Sequence, residues 1–151
     1  MTATKQIEQL NVVLNRQVAN WNVLYTKLHH FHWYVKGSDF FTLHGKFEEL
    51  YDEAAERLDA LAERLLAIGG KPVSTLNESL ALATVSEAAG GESASQMVEA
   101  VVADFTKIIG ELADGIASAQ AIGDEATADL LIGHTADLQK TVWMLSAYLG
   151  K

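Results

Sequence analysis

Ile7, Leu14, Trp21, Leu28 and Val35 stand seven residues apart, and Leu10, Leu24 and Phe31 occupy the intermediate core positions. A seam of that regularity commits the chain from about Lys5 to Val35 to one long helix with a single buried edge, interrupted only at Gln17. Lys36-Gly37-Ser38 ends it, with Gly37 in the terminating position. A second helix follows over about Asp39 to Ile68, capped by Ser38 or Asp39. Its core stripe is Phe40, Leu43, Phe47, Leu50, Tyr51, Ala54, Leu58, Leu61 and Leu65, and Gly69-Gly70-Lys71-Pro72 stops it.

Thr75-Leu-Asn-Glu78 is a capping box that opens a short helix over about Leu76 to Leu82. The small, polar stretch Thr84 to Gly91 reads as a loop. Ser93-Ala-Ser-Gln96 is a second capping box and starts a third long helix, carrying Met97, Val101, Phe105, Ile108, Leu112 and Ile116 on its apolar positions. Gly123 closes that helix, and Asp124 caps a fourth that runs to about Leu149. Two tight turns and one long link imply two antiparallel hairpins joined by a crossover, which is the connectivity of a ferritin-like four-helix bundle. The expected fold is all-α, one domain over residues 1–151, with a short extra helix in the crossover. Pro72 is the only proline, which suits long helices better than a turn-rich β domain.

Twenty acids against eleven bases give a formal charge of −9, so cations are more natural guests than phosphate backbones. With no cysteine, zinc–thiolate sites and thiol catalysis are excluded. The first residues lack the charged-then-apolar plan of a signal peptide, and no apolar run approaches a bilayer span. The expected location is the cytoplasm, without a membrane partner.

The chemistry-bearing residues crowd into Leu28-His-His-Phe-His-Trp-Tyr34, Leu43-His-Gly-Lys-Phe-Glu48 and Leu58-Asp-Ala-Leu-Ala-Glu63. His44 and Glu48 share a helix face and can grip one ion; Asp59 and Glu63 make a second such pair, and the turn folds His32 back beside His44. Imidazole and carboxylate without thiolate suit iron(II) best, and zinc or manganese fit the same ligands. Fifteen residues separate the two pairs, about 22 Å along a helix, so they cannot serve one ion within a chain. All four nonetheless lie within about 100° of arc on the second helix, beside its core stripe. If that helix packs antiparallel on its copy across a two-fold axis, each His44/Glu48 pair meets an Asp59/Glu63 pair of the other chain, giving two identical sites. The midpoint falls at Ala54 and Ala55, small enough for close approach.

Each pair alone has an ordinary explanation. His44/Glu48 can be a solvated pair, and Asp59/Glu63 an exposed acidic turn with Glu63 held by Arg57 or Arg64. His29 and His30 read as accessory or surface residues, and Trp33 and Trp143 as interface or core anchors. No glutamate stands three residues before a histidine, so the Glu-x-x-His pairs of an iron site inside one bundle are absent.

Phe31-His-Trp-Tyr-Val-Lys-Gly37, Phe41-Thr-Leu-His44, Asp59-Ala-Leu-Ala-Glu-Arg64, Gly69-Gly-Lys-Pro-Val73 and Val142-Trp-Met-Leu-Ser-Ala-Tyr148 resemble the Dps family of mini-ferritins, most of all its Bacillus and Listeria type. The resemblance implies a hollow dodecamer that oxidises iron(II), two ions per site, with hydrogen peroxide in preference to oxygen, and stores ferric oxide inside. It assigns His32, His44 and Glu48 as ligands from one chain and Asp59 and Glu63 as ligands from its neighbour. Glu48 stands where other members have aspartate, and Trp33 lies beside the centre. Asp124 and Asp129 resemble the acids of the three-fold pores through which ions enter, although Asp124 also reads as a helix cap. Glu49, Asp52, Glu53 and Glu56 form an acidic arc that is either a mineral-nucleating wall or a solvated helix face. DNA binding is not expected, because lysine-rich ends are missing and the charge is strongly negative. The alternatives are a non-catalytic DNA-coating stress protein and a shell that sequesters zinc at the same ligands.

Overall fold

The computed structural model describes residues 2–151 and contains five helices: α1 (Ala3–Tyr34), α2 (Phe40–Ala67), α3 (Leu76–Leu82), α4 (Ala94–Ala121) and α5 (Glu125–Tyr148). No strand occurs among the described residues. The four long helices form the bundle, α3 sits in the α2–α4 crossover against α1, and α4 pairs with α5. No described helix is long and apolar enough to cross a membrane.

The punctuation expected from the sequence is present. Thr75 with Glu78 and Ser93 with Gln96 form complete capping boxes, and Asp124 caps α5 by accepting from the Thr127 N–H, each satisfying donors that a helix start leaves unpaired. Gly37 turns the chain at φ 109°, a conformation costly for any side chain with a Cβ. Asp39 occupies the N-cap position of α2 without capping it; its carboxylate instead accepts a 2.7 Å hydrogen bond from the Tyr148 hydroxyl and ties the α1–α2 turn to the end of α5.

The core runs along α1. Leu10, Leu14, Trp21, Leu24, Leu28 and Phe31 are fully buried, facing Leu43, Phe47, Leu50, Leu61 and Leu65 of α2 and Phe105, Ile108 and Leu112 of α4. Trp21 meets Phe105 edge-on at 5.5 Å and carries the Arg57 guanidinium at 5.1 Å on its ring. Gly115 lets α1, α4 and α5 close up, since a Cβ there would lie 2.9 Å from Leu131 and 3.0 Å from Val13. The seam begins at Leu10 and not at Ile7, which is 44% exposed.

Gln17, the apparent break in the seam, is fully buried. Its amide donates at 3.1 Å to Glu111 Oε1, which also accepts from Asn20 Nδ2 at 3.0 Å and Thr84 Oγ1 at 3.0 Å. Asn20 Oδ1 accepts the Thr84 and Val85 N–H groups at 2.8 and 3.3 Å. This network, with Lys27 bonded to Asp104 at 2.7 Å and the Ser86 carbonyl at 2.8 Å, fastens the crossover to α1 and α4.

Candidate metal centre

The reversal of chain at Gly37 lays the last turn of α1 against the first turns of α2. His32 and His44 face each other there with rings stacked 3.7 Å apart and 14° from parallel. Their hydrogen bonds cross: His32 Nδ1 reaches the His44 carbonyl at 2.6 Å, and His44 Nδ1 the His32 carbonyl at 2.7 Å. A carbonyl oxygen only accepts, so each Nδ1 carries the hydrogen, and the tautomer this selects is the one whose lone pair lies on Nε2. Backbone anchoring of this kind fixes tautomer and ring orientation for a ligating histidine. His32 is 7% exposed.

One turn further along α2, Glu48 is exposed and accepts a 3.3 Å hydrogen bond from the Tyr51 hydroxyl. Partial burial foremost, then the Glu48 and Asp52 charges, holds the Tyr51 phenol above its usual pKa, which keeps it a donor. His29 lies against the Tyr51 ring at 3.7 Å and 18°, and donates from Nδ1 to the Tyr25 carbonyl at 2.7 Å. Trp33 is 66% exposed and its nearest ring neighbour is His29 at 5.3 Å.

Asp59 and Glu63 lie on the exposed face of the same uninterrupted helix. Glu63 is pushed above the usual carboxylate range by hydrogen bonding to Asp59 and by the Asp59 charge, so the two carboxyl groups crowd one another. A cation between them would relieve that repulsion. Neither arginine considered for Glu63 is its partner: Arg57 bonds Glu53 at 3.4 Å, while Arg64 bonds Asp124 at 3.0 Å and Thr127 at 2.8 Å.

Thus the chain brings His32 and His44 together, sets Glu48 one turn on from His44, and leaves Asp59 and Glu63 fifteen residues or more beyond His44 along α2. Among the described residues no group of three or more ligand-type side chains converges within the chain. The bundle interior offers no alternative, because Glu111 Oε1 is already occupied by three donors. Ala54, expected at the two-fold midpoint, is buried in its own core, so Ala55 alone is available there. Ala55, Leu58, Asp59 and Ala62 line an outer trough of about 430 Å³ with Tyr25 and Val73.

The remaining acids divide. Asp124 is held below the usual range: partial burial works to raise it, but hydrogen bonds from Thr127 and the Arg64 guanidinium outweigh that, while Asp129 is exposed one turn on. Of the acidic arc, Glu49 is paired with Lys46 and Glu53 with Arg57; Glu49, Asp52 and Glu56 are exposed, and Asp52 and Glu56 have no ion-pair partner among the described residues. Glu49, Glu53 and Glu56 line a groove of about 580 Å³ between α2 and α5, closed on the far side by His134 and Asp137.

Burial foremost, reinforced by the Arg57 charge, pulls the His134 pKa down to about 4. The unfolded imidazole takes a proton near 6.5. Stability from keeping it neutral is therefore complete above that pH and is lost as pH falls from about 6.5 towards 4. In thermal unfolding at pH 7 and pH 5, the wild-type midpoint should fall further than that of His134→Gln. Equal falls would show that His134 does not supply the acid sensitivity.

Tyr51 packs against the core as its place in the stripe implied, and its hydroxyl in addition reaches Glu48, while His29, read as accessory or surface, stacks on the Tyr51 ring. The spacing Glu48 to Tyr51, one turn on the same face, was the available signal.

The ferritin-like domain family matches residues 12–151. The DNA protection during starvation protein of Brevibacillus brevis is 58% identical over 144 residues, covering 95% of this chain and 97% of that protein. The crystal structure of a Dps protein from Bacillus brevis superposes with a TM-score of 0.95 at 56% identity, covering 99% of each chain. The structure of Dps from Listeria innocua soaked with zinc superposes with a TM-score of 0.91 at 45% identity, covering 94% of this chain and 97% of that one.

Proposed function

We propose that this chain, which belongs to the Dps family of ferritin-like proteins, oxidises iron(II) at sites shared between two copies of itself. The ferric product is stored inside a hollow shell, read as a dodecamer of single-domain chains. The observation that carries this reading is the crossed bonding of His32 and His44, which orients both Nε2 atoms as donors, with Glu48 one turn from His44 on α2.

Iron(II) is the substrate. His32, His44 and Glu48 of one chain and Asp59 and Glu63 of the other supply imidazole and carboxylate donors of the kind iron(II) takes. The acidic pair adds negative charge to a site whose histidines are neutral donors, so one position holds its ion more tightly than the other. Hydrogen peroxide takes one electron from each of two iron(II) ions; its O–O bond breaks and two protons complete two waters. The more weakly held ion then leaves for the cavity. Asp124 and Asp129 serve ion entry at the three-fold contacts, Trp33 flanks the centre as a redox neighbour, and Asp52 and Glu56 are the members of the acidic arc best placed to meet mineral.

Protection of DNA on this reading comes from consuming iron(II) and peroxide together, in the cytoplasm, with oxygen as the slower oxidant. A charge of −9 per chain opposes coating of DNA. In a gel shift at low ionic strength without divalent metal, DNA should migrate freely; retardation would favour a DNA-coating protein.

The donor set also accepts zinc, and the zinc-soaked relative makes a metal-sequestering shell the second reading. Anaerobic mixing of the apo-protein with iron(II) and hydrogen peroxide separates the two. Ferric absorbance should rise far faster than in buffer; a trace matching buffer would leave sequestration without turnover.

A further inference from the structure

We propose that Tyr51 is a positioning residue for Glu48, holding that carboxylate ready for a metal ion; the proposal rests on the shared-site reading above. His44, Glu48 and Tyr51 follow one another at helical spacings of four and three, which places them on one face of α2. Glu48 is exposed, and a free glutamate side chain loses rotamer entropy when it is fixed on an ion. Among the described residues the Tyr51 hydroxyl is the one hydrogen-bond donor to the Glu48 carboxylate, 3.3 Å from Oε1, which leaves Oε2 for an ion.

The tyrosine is itself held on three sides. His29 stacks on its face at 3.7 Å, Tyr25 meets it edge-on at 6.1 Å, and His32 stands at 86° to it with centroids 5.4 Å apart. His29 cannot turn freely, because its Nδ1–H is bonded to the Tyr25 carbonyl. A ring needed only to fill space would do as well without a hydroxyl. Here the clamped ring carries a donor to an acid one turn from His44 that is in no ion pair among the described residues.

Hydrogen-bond partners of ligating groups typically change metal affinity 10–100-fold when removed. Titration of the assembled apo-protein with cobalt(II), followed by calorimetry and by its visible absorption bands, reads this without iron turnover. Tyr51→Phe should bind cobalt about 10-fold more weakly, with altered bands, while its metal-free unfolding midpoint stays close to wild type. In a Glu48→Ala background the same change should have no further effect. Unchanged affinity in Tyr51→Phe, or an equal loss with Glu48 already removed, would overturn the positioning role alone. Wild-type protein that binds no cobalt, or Asp59→Ala protein that binds it as well as wild type, would overturn the shared site and this inference with it.

Discussion

Asp59→Ala chains should oxidise iron(II) with peroxide more than about 100-fold more slowly than wild type, since even hydrogen-bond partners of ligands cost 10–100-fold in affinity. Asp59 is exposed and belongs to no ion pair among the described residues, so its loss should leave folding intact. His44→Ala should fail equally, for the complementary reason. Refolding the two variants together then tests whether sites are shared. A mixed dimer has one site lacking both contributions and one with both intact. Random pairing makes half of the dimers mixed, so roughly a quarter of the sites should be restored. Initial rates of ferric absorbance, with subunit mixing verified by mass spectrometry, give the answer. Mixed assemblies no more active than their parents would mean that each chain completes its own site.

Asn20→Leu should destabilise the protein by about 3–5 kcal/mol. The substitution keeps the volume and suits the buried seam by polarity, so a purely hydrophobic account forecasts a small effect. The structure argues otherwise. Asn20 is fully buried, and its Oδ1 is the acceptor for the Thr84 and Val85 N–H groups. Orphaning buried backbone donors costs about 1–3 kcal/mol each, and Glu111 also loses one of its three donors. A loss of that size corresponds to roughly 10–15 °C in the unfolding midpoint of a chain this long. Denaturation at fixed protein concentration measures it, and hydrogen exchange at Thr84 and Val85 localises it. A change below about 1 kcal/mol would mean that the amide network is not what anchors the crossover.

These two residues show where the chain could be read directly. Helix ends were legible because their causes are local: Thr75 with Glu78 and Ser93 with Gln96 lie within a turn of each other, and their capping geometry follows from spacing alone. The separation of the two candidate ligand pairs was legible too, because the rise of a helix puts Asp59 beyond the reach of His44 whatever surrounds them. Gln17 was visible only as a flaw in the seam. Its partner, Glu111, is 94 residues away, and no spacing rule links them. Ile7 fails in the opposite sense, since the heptad continues through it while α2 and α4 leave it uncovered.

Sequence by itself therefore determined the helices, their order and the face of α2 that carries His44, Glu48, Asp59 and Glu63, because periodicity, caps and helical rise act over a few residues. The tertiary structure decided the rest. It crossed the hydrogen bonds of His32 and His44 through the Gly37 turn, took Arg57 and Arg64 away from Glu63, and filled the bundle interior with amides around Glu111. It also laid His29 of α1 on the ring of Tyr51 in α2. Each of these depends on which side chains meet when distant helices pack, and periodicity within a helix cannot specify that.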